Sequence, residues 1–182
     1  MSSRSFLFRL AKLHTNLALP AKNTRLRIGL ALVCLAWVGL AWQFKSAGAA
    51  SGTPISLNGL NSTVTENFNT LANVGTSSTV PTGWAFVETG ANANTTYTAG
   101  NGSINTGDTY SFGATGLTER ALGSIQSGSL IPTIGACFVN NTGQTITSLD
   151  IAYTGEQWRL GATGRTDKLD FQYSTNATSL TV

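Results

Sequence analysis

Two short polar clusters are the parts of this sequence best suited to chemistry. One is Glu119-Arg120, and the other is the run Glu156-Gln157-Trp158-Arg159. The indole of Trp158 offers a flat apolar face, and its neighbours offer carboxylate, amide and guanidinium groups for hydrogen bonding. This combination is typical of a surface that binds sugars. The same residues also fit a structural role, in which Trp158 belongs to the core and Glu156 pairs with Arg120 to fix two strands.

Several catalytic chemistries are excluded from the part of the chain after residue 49. The single histidine, His14, lies before it, and Cys137 is its one cysteine. A Ser-His-Asp or Cys-His triad and a Cys/His zinc site therefore cannot be built there. No phosphate-binding loop or dinucleotide fingerprint is present. A carboxylate-pair hydrolase stays open as an alternative, although the sequence pairs none of its candidate acids, which are Glu66, Glu88, Glu119 and Glu156.

Calcium is the one cofactor that the polar loops leave open. Asn101, Asn105 and Asp108 flank a turn and offer the oxygen ligands that calcium prefers. Their spacing matches no established calcium loop. We therefore predict no cofactor and no metal site, with calcium as the alternative.

Charge divides the chain into two parts. Residues 1–49 contain seven of the eleven basic residues and no acidic residue, while residues 50–182 contain four basic residues and all eight acidic ones. The second part therefore carries a net charge of −4. Nucleic-acid binding is not expected of it, because phosphate recognition needs a basic surface.

The first part has the order of a secretory signal. A basic region is followed by an apolar segment at 28–44, and then by the small residues that end in Ala49 and Ala50. The pattern predicts cleavage after Ala49 or, nearly as well, after Ala50. The alternative is a retained signal anchor, although a helix over this segment spans about 25 Å and a membrane core about 30 Å. Both interpretations place the acidic part outside the cytoplasm, with the leader as its one contact with the membrane.

Residues 63–182 show short alternating runs cut by turn residues, which predicts strands. The expected strands are 64–68, 84–88, 108–113, 121–126, 134–139, 145–154 and 168–173. Leu149, Ile151 and Tyr153 are predicted to face inward together, as are Leu169, Phe171 and Tyr173. Cys137 lies in an apolar run, so we expect a small buried side chain.

These runs predict an all-β fold, namely an antiparallel β-sandwich of the jelly-roll kind preceded by an apolar signal helix. The predicted organisation is a leader over 1–49, a linker over 50–62 and a sandwich module over 63–182. The sequence stops at the start of what resembles another strand, which predicts a module that is incomplete at its C-terminal end.

Three segments together resemble a known module: Tyr110-Ser111-Phe112-Gly113 with Glu119-Arg120, Asn141-Thr142-Gly143 with the following Ile146, and Tyr153-Thr154-Gly155-Glu156-Gln157-Trp158-Arg159. They are similar to a β-sandwich module near the N-terminus of secreted multidomain bacterial surface proteins, some with sorting tails of the PEP-CTERM or type IX kind. The resemblance covers about residues 60–175 and implies no catalytic residues. It implies a module attached to or derived from a larger surface protein, with an accessory domain of a secreted nuclease or phosphoesterase as an alternative. The Thr-, Asn- and Gly-rich loops themselves suit hydrogen bonding to glycans or to neighbouring domains.

The sequence thus predicts an exported, non-catalytic binding or structural module that is secreted or held at the cell surface, or anchored in the membrane by residues 28–44. Its expected ligand-binding residues are Glu156, Gln157, Trp158, Arg159 and Arg120. The alternative from another class is a carboxylate-dependent glycan hydrolase.

Overall fold

The computed structural model of the protein describes residues 46–50, 52–164, 170–175 and 180. The predicted signal helix at 28–44 lies outside them. The described residues contain nine strands and no helix, so the predicted all-β class is confirmed for this part of the chain. In chain order the strands are β1 Ser46–Ala50, β2 Ile55–Leu57, β3 Thr76–Ser77, β4 Trp84–Thr89, β5 Tyr97–Gly100, β6 Asp108–Phe112, β7 Ala121–Ile125, β8 Ile131–Ala136 and β9 Phe138–Asn140.

The strands form three sheets. One has the order β1-β4-β8, the second has the order β3-β5-β6-β7, and the third is the pair β2-β9. Neighbours are antiparallel except for β2 with β9 and β5 with β6, which are parallel. The prediction of antiparallel pairing throughout is therefore wrong for these two pairs. β6 returns beside β5 in the same direction because the loop 101–107 carries the chain back before β6 begins.

Strand β4 follows from its alternating sequence. Trp84, Phe86 and Glu88 are buried, while the residues between them are half-buried. Aromatic and β-branched residues at every second position suit a pleated surface with one packed face. The tight turn before the strand is closed by Trp84 N, which donates to the carbonyl of Pro81 at 3.0 Å.

The main core receives side chains from the two larger sheets. β4 and β8 supply Trp84, Phe86 and Ile134, and β5 and β7 supply Tyr97 and Leu122. The rings of Phe86 and Tyr97 meet edge to face at 6.2 Å. Contact between side chains of two different sheets is what closes this core.

A second, smaller cluster lies on the opposite face of β6. It contains Tyr110, Phe112 and Ala121, with Ile125 and Trp158 packed against them. Because side chains alternate along a strand, Thr109 and Ser111 point the other way, toward the main core. The two faces of β6 therefore serve two different clusters.

The predicted strand at 134–139 is two strands in the structure. β8 ends at Ala136 and β9 begins at Phe138, because the chain leaves the β4 sheet at Cys137 and continues beside β2. Backbone bonds hold this crossing, in which Cys137 N donates to Gly83 O and Ile55 N donates to Cys137 O, each at 2.8 Å. The prediction of a buried Cys137 is wrong, since its thiol is free and exposed at this crossing.

The C-terminal third differs most from the prediction. Residues 145–154 form no strand, and neither do 64–68 or the described residues 170–173 of the predicted strand at 168–173. Leu149, Ile151 and Tyr153 are exposed, as are Phe171 and Tyr173, so the inward orientation predicted for these residues is wrong. Leu169, the remaining member of the second face, lies outside the described residues. Alternation makes a run suitable for a sheet, but a strand also needs a neighbouring edge to bond to.

The segment predicted as leader end and linker also contains strands. β1 pairs with β4 along its whole length, and β2 pairs with β9. Ala49 and Ala50, the predicted cleavage positions, lie on β1 opposite Phe86 and Ala85.

Candidate functional site

The run 156–159 lies on an irregular segment that packs against the outer face of β6. Trp158 is half-buried, and its ring is stacked on Phe112 with centroids 6.3 Å apart and planes 6° apart. Phe112 in turn stacks on Tyr110 at 4.9 Å. The three rings form a row, so Trp158 has one face covered by the protein.

Hydrogen bonds fix the polar members of this run. Trp158 Nε1 donates to Glu156 Oε2 at 2.5 Å. Arg159 Nη1 donates to the carbonyls of Gly102 and Ser103, at 3.2 and 3.1 Å. Gln157 is exposed, and its amide donates to the carbonyl of Arg159 at 3.3 Å. The contacts join the run to the loop that follows β5.

Gly102 makes this junction close. It has a φ of +83°, and a Cβ added there would overlap the carbonyl of Trp158 and lie 3.4 Å from its Cβ. A side chain at position 102 would therefore push the loop away from the tryptophan. Glu156, Gln157, Trp158 and Arg159 form one small surface, which we call the Trp158 surface.

Arg120 does not share this surface. Its side chain is 2% exposed and is directed to the inner side of β6. Nε donates to Ser111 Oγ at 2.9 Å, and Nη2 donates to the carbonyls of Ser111 and Gly100. Burial lowers the pKa of the guanidinium, an effect that Glu119 and Tyr97 oppose. Arg120 thus bonds to both β5 and β6, and its burial keeps it out of reach of a ligand.

Two carboxylates that nothing in the local sequence pairs, the buried Glu88 and the half-buried Asp108, meet at Thr109. Glu88 on β4 is 0% exposed, and it reaches across to β6. Its Oε1 accepts from the N–H and the hydroxyl of Thr109, both at 2.8 Å. The same N–H also reaches Asp108 Oδ1 at 3.0 Å, so the two carboxylates share a donor.

Further donors surround this pair. Asn94 N donates to Glu88 Oε2 at 3.0 Å, and Thr98 Oγ1 donates to Asp108 Oδ2 at 2.6 Å. Desolvation raises the pKa of Glu88, and the charge of Asp108 raises it further, while the bonds from Thr109 and Asn94 lower it. The pKa of Tyr110 is also raised, first by its own burial and then by Asp108 and Glu88.

The sequence contained a signal for Glu88. In the run 84–88 the inward positions are Trp84 and Phe86, and the next inward position is Glu88. A carboxylate at the third inward position of a buried strand predicts a hydrogen-bonded interior group. Its partners on β6 follow from the folding of two sheets together and have no counterpart in the local sequence.

Glu88 and Glu156 differ in whether they could act on a substrate. A glycosidase needs two carboxylates that face a substrate. Glu88 is closed off from solvent, whereas Glu156 is half-exposed but directs one oxygen to Trp158 Nε1. The geometry of the Trp158 surface suits contact with a polar ligand through the exposed Gln157 and the half-buried indole.

The loop proposed for calcium is engaged in other bonds. Asn101 Oδ1 accepts from Ser103 N at 3.1 Å, and both oxygens of Asp108 accept the bonds given above. Among the residues described, no three His, Cys, Asp or Glu side chains lie close enough to hold a metal ion.

Comparisons with protein-family models, with curated proteins and with solved structures find no match to this chain. Within the described ranges, no helix is long and apolar enough to cross a membrane. The functional conclusion therefore depends on the geometry described above and on the charge and order of the sequence.

Proposed function

We propose that this protein is an exported, non-catalytic module that acts outside the cytoplasm as a binding or structural domain. The observation that carries the proposal is the contrast between Glu88 and Arg120 on one side and the Trp158 surface on the other. Glu88 and Arg120 are both buried, and their side chains bond to Thr109 and Ser111 of β6 inside the fold. The accessible polar groups beside an aromatic ring are suited to contact, as in many sugar-binding or domain-binding surfaces.

The fold that we propose for this module is a β-sandwich of the jelly-roll kind. The main core supports it, because Phe86 and Ile134 from one sheet pack with Tyr97 and Leu122 from another. Such modules present loops and one face of a sheet to their partners. The resemblance to N-terminal modules of secreted multidomain surface proteins is consistent with this arrangement.

The ligand that we propose for the Trp158 surface is a glycan or a polar face of a neighbouring domain. To test it, Trp158→Ala is compared with Trp84→Ala, which removes a tryptophan of the main core. We expect Trp158→Ala to lose retention on a glycan array while its circular dichroism and unfolding midpoint stay close to those of the wild type. Trp84→Ala should unfold the domain.

A different result would identify a structural role. If Trp158→Ala unfolds the protein as Trp84→Ala does, the indole belongs to the core and the binding proposal fails. Sugar release from polysaccharide by the wild-type protein, lost in Glu156→Gln, would instead establish the hydrolase. Glu156→Gln is the right change because it keeps the shape of the side chain and removes its charge.

Export is proposed from the three-part leader and the charge division of the chain. Mass spectrometry of the protein recovered from a bacterial host is expected to show a new N-terminus at Ala50 or Ser51. An intact leader recovered from the membrane fraction would replace cleavage with anchoring by residues 28–44. Recovery of the intact protein from the cytoplasm would contradict both.

A further inference from the structure

The small strand β1 completes the edge of the sheet that contains β4. All five of its residues pair with β4, from Ser46 opposite Thr89 to Ala50 opposite Ala85. Its sequence, Ser-Ala-Gly-Ala-Ala, contains no large side chain. β4 is therefore bonded on one side by β8 and on the other by a strand that the sequence assigns to the end of the leader.

Gly48 shows how selective this edge is. It lies opposite Val87, and a Cβ added to it would overlap the carbonyl oxygen of Phe86 and lie 2.9 Å from Val87 Cα. These are backbone atoms of β4, so no change of rotamer can make room. An extended segment can occupy this edge in the observed register only with glycine opposite Val87.

The edge also belongs to a strand on which the fold depends. β4 carries Trp84 and Phe86 into the core and places Glu88 on Thr109 of β6. Without β1, the outward N–H and C=O groups of β4 would be open to pair with another strand. Added strands bind to such edges through main-chain hydrogen bonds and gain specificity from side-chain fit.

We propose that the β1 side of β4 is a strand-binding site for a small-residue segment with glycine opposite Val87, and that its ligand is the end of this chain's own leader. In the intact chain the ligand is covalently attached. Cleavage after Ala49 or Ala50 leaves four or all five residues of β1 on the leader fragment. That fragment stays bound to the edge of β4 and holds the processed domain to its leader without a covalent bond.

The strand-binding site is inferred from the register of β1 on β4 and from the close approach of Gly48 to the backbone of β4. Its use after processing rests on the proposed cleavage. The experiment therefore cuts the chain without a signal peptidase. A protease recognition sequence is inserted between Gly52 and Thr53, which are exposed, and the full chain in detergent is cut after it has folded. The leader fragment is then captured through an N-terminal tag, and the domain that remains bound to it is measured.

We expect the cut wild-type domain to stay with the leader fragment and the Gly48→Val domain to be released. Gly59→Ala is the matched control, because a Cβ at Gly59 meets nothing within 4 Å and its backbone is ordinary. This control should behave as the wild type does. Equal release from the wild type and Gly48→Val, or equal retention by both, would overturn the proposal.

A second measurement needs no variant of the protein to fold. A synthetic peptide of residues 46–52 is added in excess to the cut wild-type complex, and the same peptide with Gly48→Val serves as control. The native peptide is expected to displace the leader fragment, and hydrogen exchange should show the β4 amides still protected. Displacement by both peptides alike, or by neither, would show that β4 has no site of this selectivity. Either result is independent of whether the cell cleaves the leader, so a failure here is distinct from a failure of the proposed export.

Discussion

The segments 84–88 and 145–154 have the same kind of alternating sequence and different structures. In the first, Phe86 is 0% exposed and lies on a strand bonded on both sides. In the second, Leu149 is 49% exposed and lies on a segment without strand structure. Alternation describes which face of a segment can be buried, and a bonded neighbour decides whether that face is buried.

The comparison predicts its largest effect at the inner face of β4. Phe86→Ala removes a ring from a fully packed site, and we expect it to lower the free energy of unfolding by about 3–5 kcal/mol. Urea unfolding followed by circular dichroism measures the change. A cost below about 1 kcal/mol, typical of surface positions, would show that Phe86 contributes no more to stability than the exposed residues of 145–154.

The sequence predicts β4 and β6 because each has aromatic residues at every second position, and it predicts β7 from a weaker run at 121–126. It did not separate β8 from β9, since the crossing at Cys137 is directed by bonds to Gly83 and Ile55, which are distant in sequence. The residues 156–159 lie together because they are contiguous. Arg120 lies away from that surface for the opposite reason, because its partners Ser111 and Gly100 lie on the strands β6 and β5.

The second prediction compares two arginines that both donate to backbone carbonyls. Arg120→Met leaves the carbonyls of Ser111 and Gly100 without this donor in a buried site, so we expect a loss of about 1–3 kcal/mol. Arg159→Met removes bonds to Gly102 and Ser103 at a half-exposed site, where water can replace them. Thermal unfolding of the two variants should rank Arg120→Met as the more damaging. The reverse order would mean that the run 156–159 is held more firmly than β6.

The third prediction concerns pH and Glu88. Burial raises the pKa of Glu88 above its ordinary value of 4.5, so the folded state holds the carboxyl proton more tightly than the unfolded state does. The contribution of this proton to stability is therefore complete at pH values below 4.5. The effect is lost as pH rises through the folded-state pKa. The stability of the wild type relative to Glu88→Gln should therefore fall as pH increases across this window. A difference that stays constant with pH would show that Glu88 keeps an ordinary pKa in the fold.

The smallest effect is expected in the segment 145–154. Ile151→Thr keeps the β-branched shape and removes an apolar group from an exposed position, so the free energy of unfolding should change by no more than about 0.5 kcal/mol. Denaturant titration at two protein concentrations makes this comparison. A larger loss, or one that depends on concentration, would reveal a partner that covers this face in solution.

The two faces of β6 also bear on how faithfully the protein folds. Thr109 donates to Glu88 and Ser111 accepts from Arg120 on one face, while Tyr110 and Phe112 stack on the other. A slip of one residue in pairing would exchange these faces, leaving a buried carboxylate and a buried guanidinium opposite aromatic rings. The interior charges thereby select the correct alignment among strands that hydrophobicity alone would allow to shift.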